Sequence, residues 1–319
     1  MRILCWHVHA AWMTSFVQGA HEYYVPVLPD RGADGKGRAQ TYEWPDTVTE
    51  LGPEQLRDAE FDAVVLQRPH ELELFARWTG RAPGRRGVPA VYVEHNTPRG
   101  DVDDWQHWLA ARTDIPIVHV TEYNRMIWDN GIAPTVVIEH GVPDYGYHYQ
   151  GYLDSLVAAI NEPVRRRRVA GLDLLERIAT QVPVSVYGMG TDQLLSRITD
   201  GLDEVGDFSQ DYLHERMVEH FGYLHPYRWT SNGLALIEAM TLGLPVLAIG
   251  ATAAYETVPA AAGLVSASPD RLADMAARWR MEPEEPRERG RAAREHALRH
   301  FGLPRFLTEW DALLKEVCA

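Results

Sequence analysis

Short apolar runs alternate with polar or helical stretches throughout the first half of the chain. Six of these runs are rich in Val and Ile and predict buried strands of a parallel sheet. They are Arg2–Val8, Tyr24–Leu28, Ala63–Leu66, Pro89–Val93, Ile115–Val120 and Thr135–Ile138. The segments between them, such as Pro53–Asp58 and Glu71–Trp78, have helical spacing. The alternation predicts a doubly wound α/β domain.

A second α/β series follows residue 151. It contains four predicted strands, at Ser155–Ile160, Val182–Tyr187, Gly222–Leu224 and Pro245–Ile249. Six helices are predicted with them, at Leu172–Ile178, Tyr212–His220, Leu234–Leu242, Pro269–Trp279, Pro283–His300 and Pro304–Val317. We therefore expect two Rossmann-like domains, residues 1–146 and 152–302, joined by a linker at Asp144–Gly151. A C-terminal helix over 303–319 is expected to pack back on the first domain.

Composition narrows the class of protein. The 319 residues carry a formal net charge of −14, which argues against nucleic acid as a partner and against an anionic membrane surface. No apolar run approaches the ~18 residues of a membrane span, and the first residues lack the apolar core of a signal peptide. With only two cysteines, a reducing cytoplasm is the expected compartment, without stable membrane insertion.

Lysine is almost absent, and this limits the possible chemistry. The chain has 29 Arg but only Lys36 and Lys315, so P-loop ATPases and Schiff-base enzymes have almost no candidate lysine. His214 and His220 are six residues apart, which is not the spacing of a zinc pair. We expect neither a bound metal nor a cofactor.

Polar side chains gather where the predicted strands of the first half end, the edge at which ligands bind to such sheets. Nine of the 14 His and seven of the ten Trp precede residue 151. His9 and Trp12 follow the first strand, His95 ends the fourth, and His119 lies in the fifth. For each histidine alone, a structural role remains open. Together they predict one wall of a cleft.

The second half offers three features for an anionic ligand. Gly188 and Gly190 follow a predicted strand, where glycine lets the backbone approach a ligand. A helix over Leu234–Leu242, capped by Ser231 or Asn232 and ended by Gly243, contains Glu238 and would offer its positive dipole end to a phosphate. Arg165–Arg168 could neutralise a diphosphate. An exposed basic loop and a solvated structural glutamate are the alternatives.

The segment from Leu224 to Val246 resembles the signature of the retaining GT-B glycosyltransferases of family GT4. The matching positions in register are Pro226, Gly233, Glu238-Ala-Met240, Gly243 and Pro245-Val246. Further matching segments follow in the same order, at Gly19–Glu22, Val137–Val142, Gly171–Leu175 and Tyr187–Gly190. The resemblance covers nearly the whole chain.

The resemblance implies two domains that face each other across a cleft, with the nucleotide-sugar donor bound to the second. Glu238 would hold the ribose, and Arg165 or Arg166 the diphosphate, together with the helix start near Gly233. The other donor contacts would come from Gly188, Gly190, Thr230, Ser231 and Asn232. His95 would contact the transferred sugar, so the catalytic candidates are His95 and Arg165. His9, Trp12 and His119 would bind a small-molecule or glycan acceptor in the first domain.

Two positions depart from the family pattern. Thr230 replaces the first glutamate of the family's Glu-x7-Glu pair, and Ala170 replaces the lysine before Gly171. The leading interpretation is retaining, metal-independent transfer from a nucleoside-diphosphate sugar. The alternatives are a catalytically degenerate GT-B protein that binds a nucleotide sugar, and a nucleotide-sugar epimerase or phosphorylase.

Overall fold

The computed structural model describes residues 1–195 and 201–319. The chain forms two compact units, which we call unit 1 (Met1–Pro143 with Leu303–Ala319) and unit 2 (Asp144–Gly302). Each unit is built on one parallel β-sheet. The predicted α/β class is confirmed.

Unit 1 contains a seven-stranded parallel sheet. Its strands are β1 (Arg2–Cys5), β2 (Glu22–Pro26), β3 (Val48–Leu51), β4 (Ala63–Leu66), β5 (Ala90–Glu94), β6 (Ile117–His119) and β7 (Thr135–Val137). They lie in the order β3-β2-β1-β4-β5-β6-β7. Ile3 pairs with Tyr23 on one side and with Ala63 on the other, so the strand order reverses beside β1.

Four helices connect these strands, α1 (Ala10–Phe16), α2 (Pro53–Asp58), α3 (Glu71–Thr79) and α4 (Glu122–Ile127). Every residue of β4 and β5 is buried, as expected for central strands covered on both faces. The central apolar runs of the sequence thus correspond to the core of unit 1.

Unit 2 contains a six-stranded parallel sheet. Its strands are β8 (Leu153–Ala159), β9 (Val184–Tyr187), β10 (Leu202–Gly206), β11 (His220–His225), β12 (Val246–Ile249) and β13 (Gly263–Ser266), in the order β10-β9-β8-β11-β12-β13. Its helices are α5 (Arg167–Ala170), α6 (Leu172–Ala179), α7 (Gln210–Met217), α8 (Leu234–Leu242), α9 (Ala254–Thr257), α10 (Pro269–Met281) and α11 (Glu284–His300). The order reverses between β8 and β11, where ligands bind in doubly wound sheets.

The last helix, α12 (Leu303–Cys318), belongs to unit 1. Its Trp310 packs edge-on against two rings of α1, at centroid distances of 5.6 Å from Trp12 and 5.0 Å from Phe16. The Leu303 N–H donates to the Val142 carbonyl at 3.0 Å. An aromatic cluster therefore holds this helix on unit 1 although unit 2 precedes it in the sequence.

Some predicted elements differ from the observed ones. Strands β3, β10 and β13 were not predicted, and the helix predicted over Tyr212–His220 ends at Met217 because His220 begins β11. The segment Asp144–Gly151, which was predicted as a linker, belongs to unit 2. There the hydroxyl of the buried Tyr149 donates to the Phe221 carbonyl at 3.0 Å.

Candidate functional site

Helix α8 carries one ionisable side chain in an otherwise largely apolar segment. All of its residues from Leu236 to Leu242 are buried, as expected for a helix that is apolar on every face. Glu238 is 5% exposed. Its carboxylate therefore lies inside unit 2, and the alternative of a solvated helix face is wrong.

The N-cap residue of α8 is Gly233, which has an extended conformation and no side chain with which to cap the helix. Neither Ser231 nor Asn232, the expected caps, is the N-cap residue, because the helix begins after both of them. The expected end at Gly243 is confirmed, with a left-handed φ of +93°. The first N–H groups of a helix have no intrahelical partner, so this start offers them, with the positive dipole end, to an anion.

The carboxylate of Glu238 is oriented by helix α7. Its Oε1 accepts a hydrogen bond from Gln210 Nε2 at 2.8 Å, and its Oε2 lies 3.4 Å from His214 Nε2. The His214 ring packs against Tyr145 with 4.4 Å between centroids. No arginine or lysine forms an ion pair with Glu238 among the residues that the structure describes. The site thus presents a buried carboxylate whose lone pairs are only partly used.

Two glycines shape the loop that follows β9. Gly188 has a φ of +136°, and a Cβ there would lie 2.6 Å from the Ile160 carbonyl oxygen. Gly190 has a φ of +72°, and a Cβ there would make only ordinary contacts, the nearest at 3.6 Å from Glu162 Cα. The loops after β8 and β9 are joined by the Met189 N–H, which donates to Asn161 Oδ1 at 3.0 Å. Main-chain atoms therefore line this part of the sheet edge at the two glycines, where a ligand can approach the backbone closely.

The four arginines Arg165–Arg168 differ in the ion pairs that they form. Arg165 has a side chain 68% exposed and pairs with Glu162, while Arg167 pairs with Glu176 and Arg168 with Asp173. The half-buried Arg166 forms no ion pair with any residue in 1–195 or 201–319. The charge of Arg166, after that of Arg165, helps to lower the pKa of Glu162, but none of the described carboxylates holds its guanidinium in an ion pair. This geometry favours Arg166 over Arg165 as the ligand of an anion.

The predicted donor-binding residues Thr230, Ser231 and Asn232 lie in the loop between β11 and α8. Thr230 and Asn232 are partly buried and Ser231 is buried. The Asn232 Nδ2 atom is buried without a hydrogen-bond partner among the described residues. Gly233 abuts His225, because a Cβ at Gly233 would lie 2.8 Å from His225 Cε1. His225, a residue that sequence analysis did not select, thus lies beneath the helix start.

A cavity of about 550 Å³ opens at the carboxyl ends of β8 and β9. Ligand pockets usually have about 300–1,000 Å³. The cavity is lined by Glu162, Val164, Arg165, Met189, Gly190 and Gln193. Two of the predicted donor-site residues, Arg165 and Gly190, therefore line the same cavity.

In unit 1 three histidines gather at the carboxyl edge of the sheet. The ring of His9 lies 4.1 Å from that of His95, and the ring of His140 stacks on His95 at 6.4 Å. They follow β1, β5 and β7 in the chain. Sequence analysis assigned binding or catalytic roles to His9 and His95, whereas His140, which follows the sixth predicted strand, received no such role.

The three imidazoles are neutral near pH 7. Burial lowers the pKa of His9 to about 4 and that of His140 to about 3. The pKa of His95 is also lowered, because of burial and then because of the neighbouring histidines. The cluster can therefore donate and accept hydrogen bonds, but it supplies no charge to this edge of unit 1.

Two predicted acceptor-binding residues lie in the interior of unit 1. Trp12 is 1% exposed and meets the His95 ring edge-on at 5.1 Å. His119 is 0% exposed, and its Nε2 lies 2.8 Å from Asn130 Oδ1. Both rings are therefore buried within unit 1, and their role in acceptor binding stays a prediction.

In the described part of the chain, no group of three or more His, Cys, Asp or Glu side chains is arranged to hold a metal ion. None of the helices within residues 1–195 and 201–319 combines the length and the apolar character needed to cross a bilayer.

No family model matches the chain, and no curated protein matches it. Its fold is nevertheless similar to those of solved structures. Sucrose-phosphate synthase from Thermosynechococcus elongatus has a TM-score of 0.74 at 13% identity, covering 99% of both chains. HepE from Anabaena, in complex with UDP, has a TM-score of 0.72 at 16% identity, covering 99% of this chain and 100% of its own.

AviGT4, a glycosyltransferase involved in avilamycin A biosynthesis, has a TM-score of 0.64 at 14% identity, covering 100% of this chain and 98% of its own. The fold is that of the GT-B glycosyltransferases. Near-complete coverage of both partners in each comparison shows that the GT-B likeness extends over both units. The fold expected from the Leu224–Val246 resemblance is confirmed.

Proposed function

We propose that the protein is a retaining, metal-independent glycosyltransferase of family GT4. It transfers a sugar from a nucleoside-diphosphate sugar to a hydroxyl group of a small-molecule or glycan acceptor. The observation that carries the proposal is the buried carboxylate of Glu238 on a helix whose N-cap residue is a glycine. Structures with this fold support it, since HepE was solved with UDP and with UDP-glucose.

Glu238 is proposed to bind the ribose of the donor. A carboxylate has about four lone-pair positions, and Gln210 and His214 approach one on each oxygen. The remaining positions can accept hydrogen bonds from the two vicinal ribose hydroxyls. Burial strengthens these bonds because water competes poorly at a desolvated site.

The diphosphate is proposed to bind between Arg166 and the start of α8. The guanidinium supplies a full positive charge and paired donors, and the helix start supplies free N–H groups. Gly188 and Gly190 allow the backbone to approach the donor, and Thr230, Ser231 and Asn232 supply neutral polar contacts. With this arrangement, protein groups neutralise the developing charge on the leaving phosphate.

Transfer is proposed to proceed by front-face displacement. The acceptor oxygen bonds to the anomeric carbon on the face from which the leaving group departs, and the bond between that carbon and the phosphate oxygen breaks. The acceptor's proton passes to the departing diphosphate, so the step requires no protein nucleophile. His95, assigned by family resemblance, contacts the transferred sugar as a neutral hydrogen-bonding group, with His9 beside it.

A nucleotide panel tests the proposal. The purified protein is heated with UDP, GDP, ADP and dTDP and with their sugars, because a ligand that binds the folded state raises the melting temperature. One base is expected to stand out. The donor with that base is then incubated with a panel of acceptors, and NMR reports the anomeric configuration of the product.

The possible outcomes separate the alternatives. A product with the anomeric configuration of the donor supports the proposal, and an inverted product overturns retention. Binding without transfer or donor hydrolysis would identify a degenerate nucleotide-sugar binder. A changed sugar nucleotide formed without acceptor would identify an epimerase. If no nucleotide binds, the donor site is wrong.

A further inference from the structure

The loop that follows β2 places a lysine at the carboxyl edge of the sheet of unit 1. Lys36 lies in an antiparallel bridge just beyond the end of that strand. The Gly37 N–H donates to the Pro26 carbonyl at 3.0 Å, and Nδ1 of His7 donates to the Gly37 carbonyl, also at 3.0 Å. These bonds bring Lys36 beside the segment that follows β1, which also contains His9.

The backbone around Lys36 is fixed by side chains from other parts of unit 1. Arg31 Nη1 donates to the Lys36 carbonyl at 2.9 Å and also pairs with Glu50. Arg68, which follows β4, donates from Nη1 to the Ala33 carbonyl at 2.9 Å. The position of Lys36 is therefore set by contacts with the body of unit 1 and not by the loop alone.

Lys36 is a cation without a counter-charge. Its side chain is exposed, and it forms no ion pair with any residue that the structure describes. Two carboxylates of the same region are engaged elsewhere, because Glu50 pairs with Arg31 and Asp34 pairs with Arg68. The ammonium group of Lys36 is therefore available to an anionic ligand.

His9 offers a second polar group near this lysine. Its ring packs on that of His95 with 4.1 Å between centroids and makes no hydrogen bond within residues 1–195 and 201–319. The pKa of His9 is lowered to about 4 by burial first, and then by the positive charges of Lys36 and Arg68. Both cations therefore lie near the ring, which is neutral at pH 7 and keeps one N–H group to donate.

We propose that Lys36 and His9 form a binding site for an anion, with the ammonium group as the counter-charge and the imidazole N–H as a second donor. The ligand carries a phosphate monoester or a carboxylate, since the oxygens of both groups accept charge-assisted hydrogen bonds. Both residues belong to unit 1. The assignment of this ligand as the acceptor rests on the proposed function, and it makes the acceptor a hydroxyl compound with an anionic group.

The lysines can be observed directly, because the chain has only Lys36 and Lys315. Reductive methylation with 13C-formaldehyde labels both lysines and the N-terminal amine for NMR and keeps the charge of lysine. The signal that is lost in Lys36→Gln is that of Lys36. The labelled protein is titrated with glucose 6-phosphate, glucuronate, inorganic phosphate and glucose at constant ionic strength. We expect an anion to shift the Lys36 signal but not that of Lys315, and glucose to shift neither.

Calorimetry measures the same contacts in unlabelled protein. Lys36→Gln should raise the Kd of the anion about tenfold or more, as for a lost charge-assisted hydrogen bond. His9→Phe keeps a ring against His95 and should raise the Kd by less, because it removes a neutral donor. Lys315→Gln, at an exposed lysine that pairs with Asp311, is the matched control and should leave the Kd unchanged.

The outcomes separate the site from the function. Binding that weakens in Lys36→Gln but not in Lys315→Gln supports the site, and glucose 6-phosphate compared with glucuronate distinguishes a phosphate ligand from a carboxylate ligand. The inference is overturned if no anion shifts the Lys36 signal, if the Lys315 signal shifts equally, or if the Kd is unchanged in Lys36→Gln or His9→Phe. Transfer to neutral acceptors alone overturns the assignment of the anion as the acceptor. If an anion binds at Lys36 but no sugar is transferred, the site stands and the proposed function fails.

Discussion

The carboxylate of Glu238 accepts a hydrogen bond from the side-chain amide of Gln210, with 2.8 Å between Oε1 and Nε2. Replacing Glu238 with Gln puts an NH2 group where an acceptor oxygen lay. The ribose hydroxyls therefore lose one of the two oxygens that would accept their hydrogen bonds. We expect nucleotide binding to weaken by ~1–3 kcal/mol, measured by calorimetry. Glu288→Gln, at an exposed glutamate of α11, should leave the Kd unchanged. Equal affinities of the Glu238→Gln variant and the wild-type protein would rule out the ribose contact.

Arg166 is expected to matter more for donor binding than Arg165. Arg165 is exposed and already paired with Glu162, and exposed charges are screened by salt. We expect Arg166→Met to weaken the binding free energy of the nucleoside diphosphate by ~1.5–3 kcal/mol, as for a lost charged hydrogen bond. Arg165→Met should have a smaller effect. Arg271→Met, at an exposed position of α10, controls for net charge. A larger loss in Arg165→Met would contradict this ranking.

Gly171 is expected to tolerate no side chain. It adopts a φ of +74°, and a Cβ there would overlap the Pro226 carbonyl oxygen. Gly171→Ala should therefore destabilise unit 2 by well over the ~1–2 kcal/mol that left-handed backbone alone costs. Gly80→Ala is the matched control, with a φ of +70° and no atom within 4 Å of the added Cβ. Denaturant unfolding compares the two variants. Similar losses of unfolding free energy would show that the surrounding structure shifts to remove the overlap at Gly171.

Stability should fall as the pH is lowered below 7. Burial lowers the pKa of His225 to about 4, whereas an unfolded histidine titrates near 6.5. Between these values the unfolded chain binds the additional proton, so acid favours unfolding by ~1.4 kcal/mol per pH unit for each such histidine. His225→Gln should make the dependence between pH 5.5 and 4.5 less steep by that amount. His148→Gln, at an exposed site, should leave the slope unchanged, and identical slopes for all three proteins would refute the prediction.

Trp310 is expected to hold α12 on unit 1. Its indole is buried against Trp12 and Phe16, and removing a buried indole typically costs ~3–5 kcal/mol. Trp310→Ala should lower the unfolding free energy of unit 1 by that order and leave nucleotide affinity intact. Trp108→Ala, at a partly exposed tryptophan of unit 1, is the control. Weaker nucleotide binding by Trp310→Ala would contradict the assignment of this helix to unit 1 alone.

The sequence predicted central strands better than edge strands. The strands that it missed, β3, β10 and β13, all lie at sheet edges. Val48-Thr-Glu-Leu51 and Leu202–Gly206 contain polar residues, because an edge strand meets solvent and lacks the continuous apolar run of a strand covered on both faces. The edge strand β7, which was predicted at Thr135–Ile138, is the exception, because its run Thr135-Val-Val137 is rich in β-branched residues.

The candidate site was predicted unevenly for a related reason. Glu238 could be selected from the sequence because a carboxylate is unusual within an otherwise apolar predicted helix. Gln210 could not, since its role depends on Glu238, which lies in a distant part of the chain. Within the arginine run, only the three-dimensional pairing with Glu162, Glu176 and Asp173 distinguishes Arg166 from its neighbours.

The position of α12 has a consequence for how the chain is made. All of unit 2, residues 144–302, is synthesised between the sheet of unit 1 and its last helix. At ordinary translation speeds this takes on the order of 10 s. Throughout that interval Trp12 and Phe16 lack the contact with Trp310. The nascent first unit therefore offers an apolar surface to chaperones while unit 2 can already fold. Unit 1, whose synthesis starts first, is therefore the last to be completed.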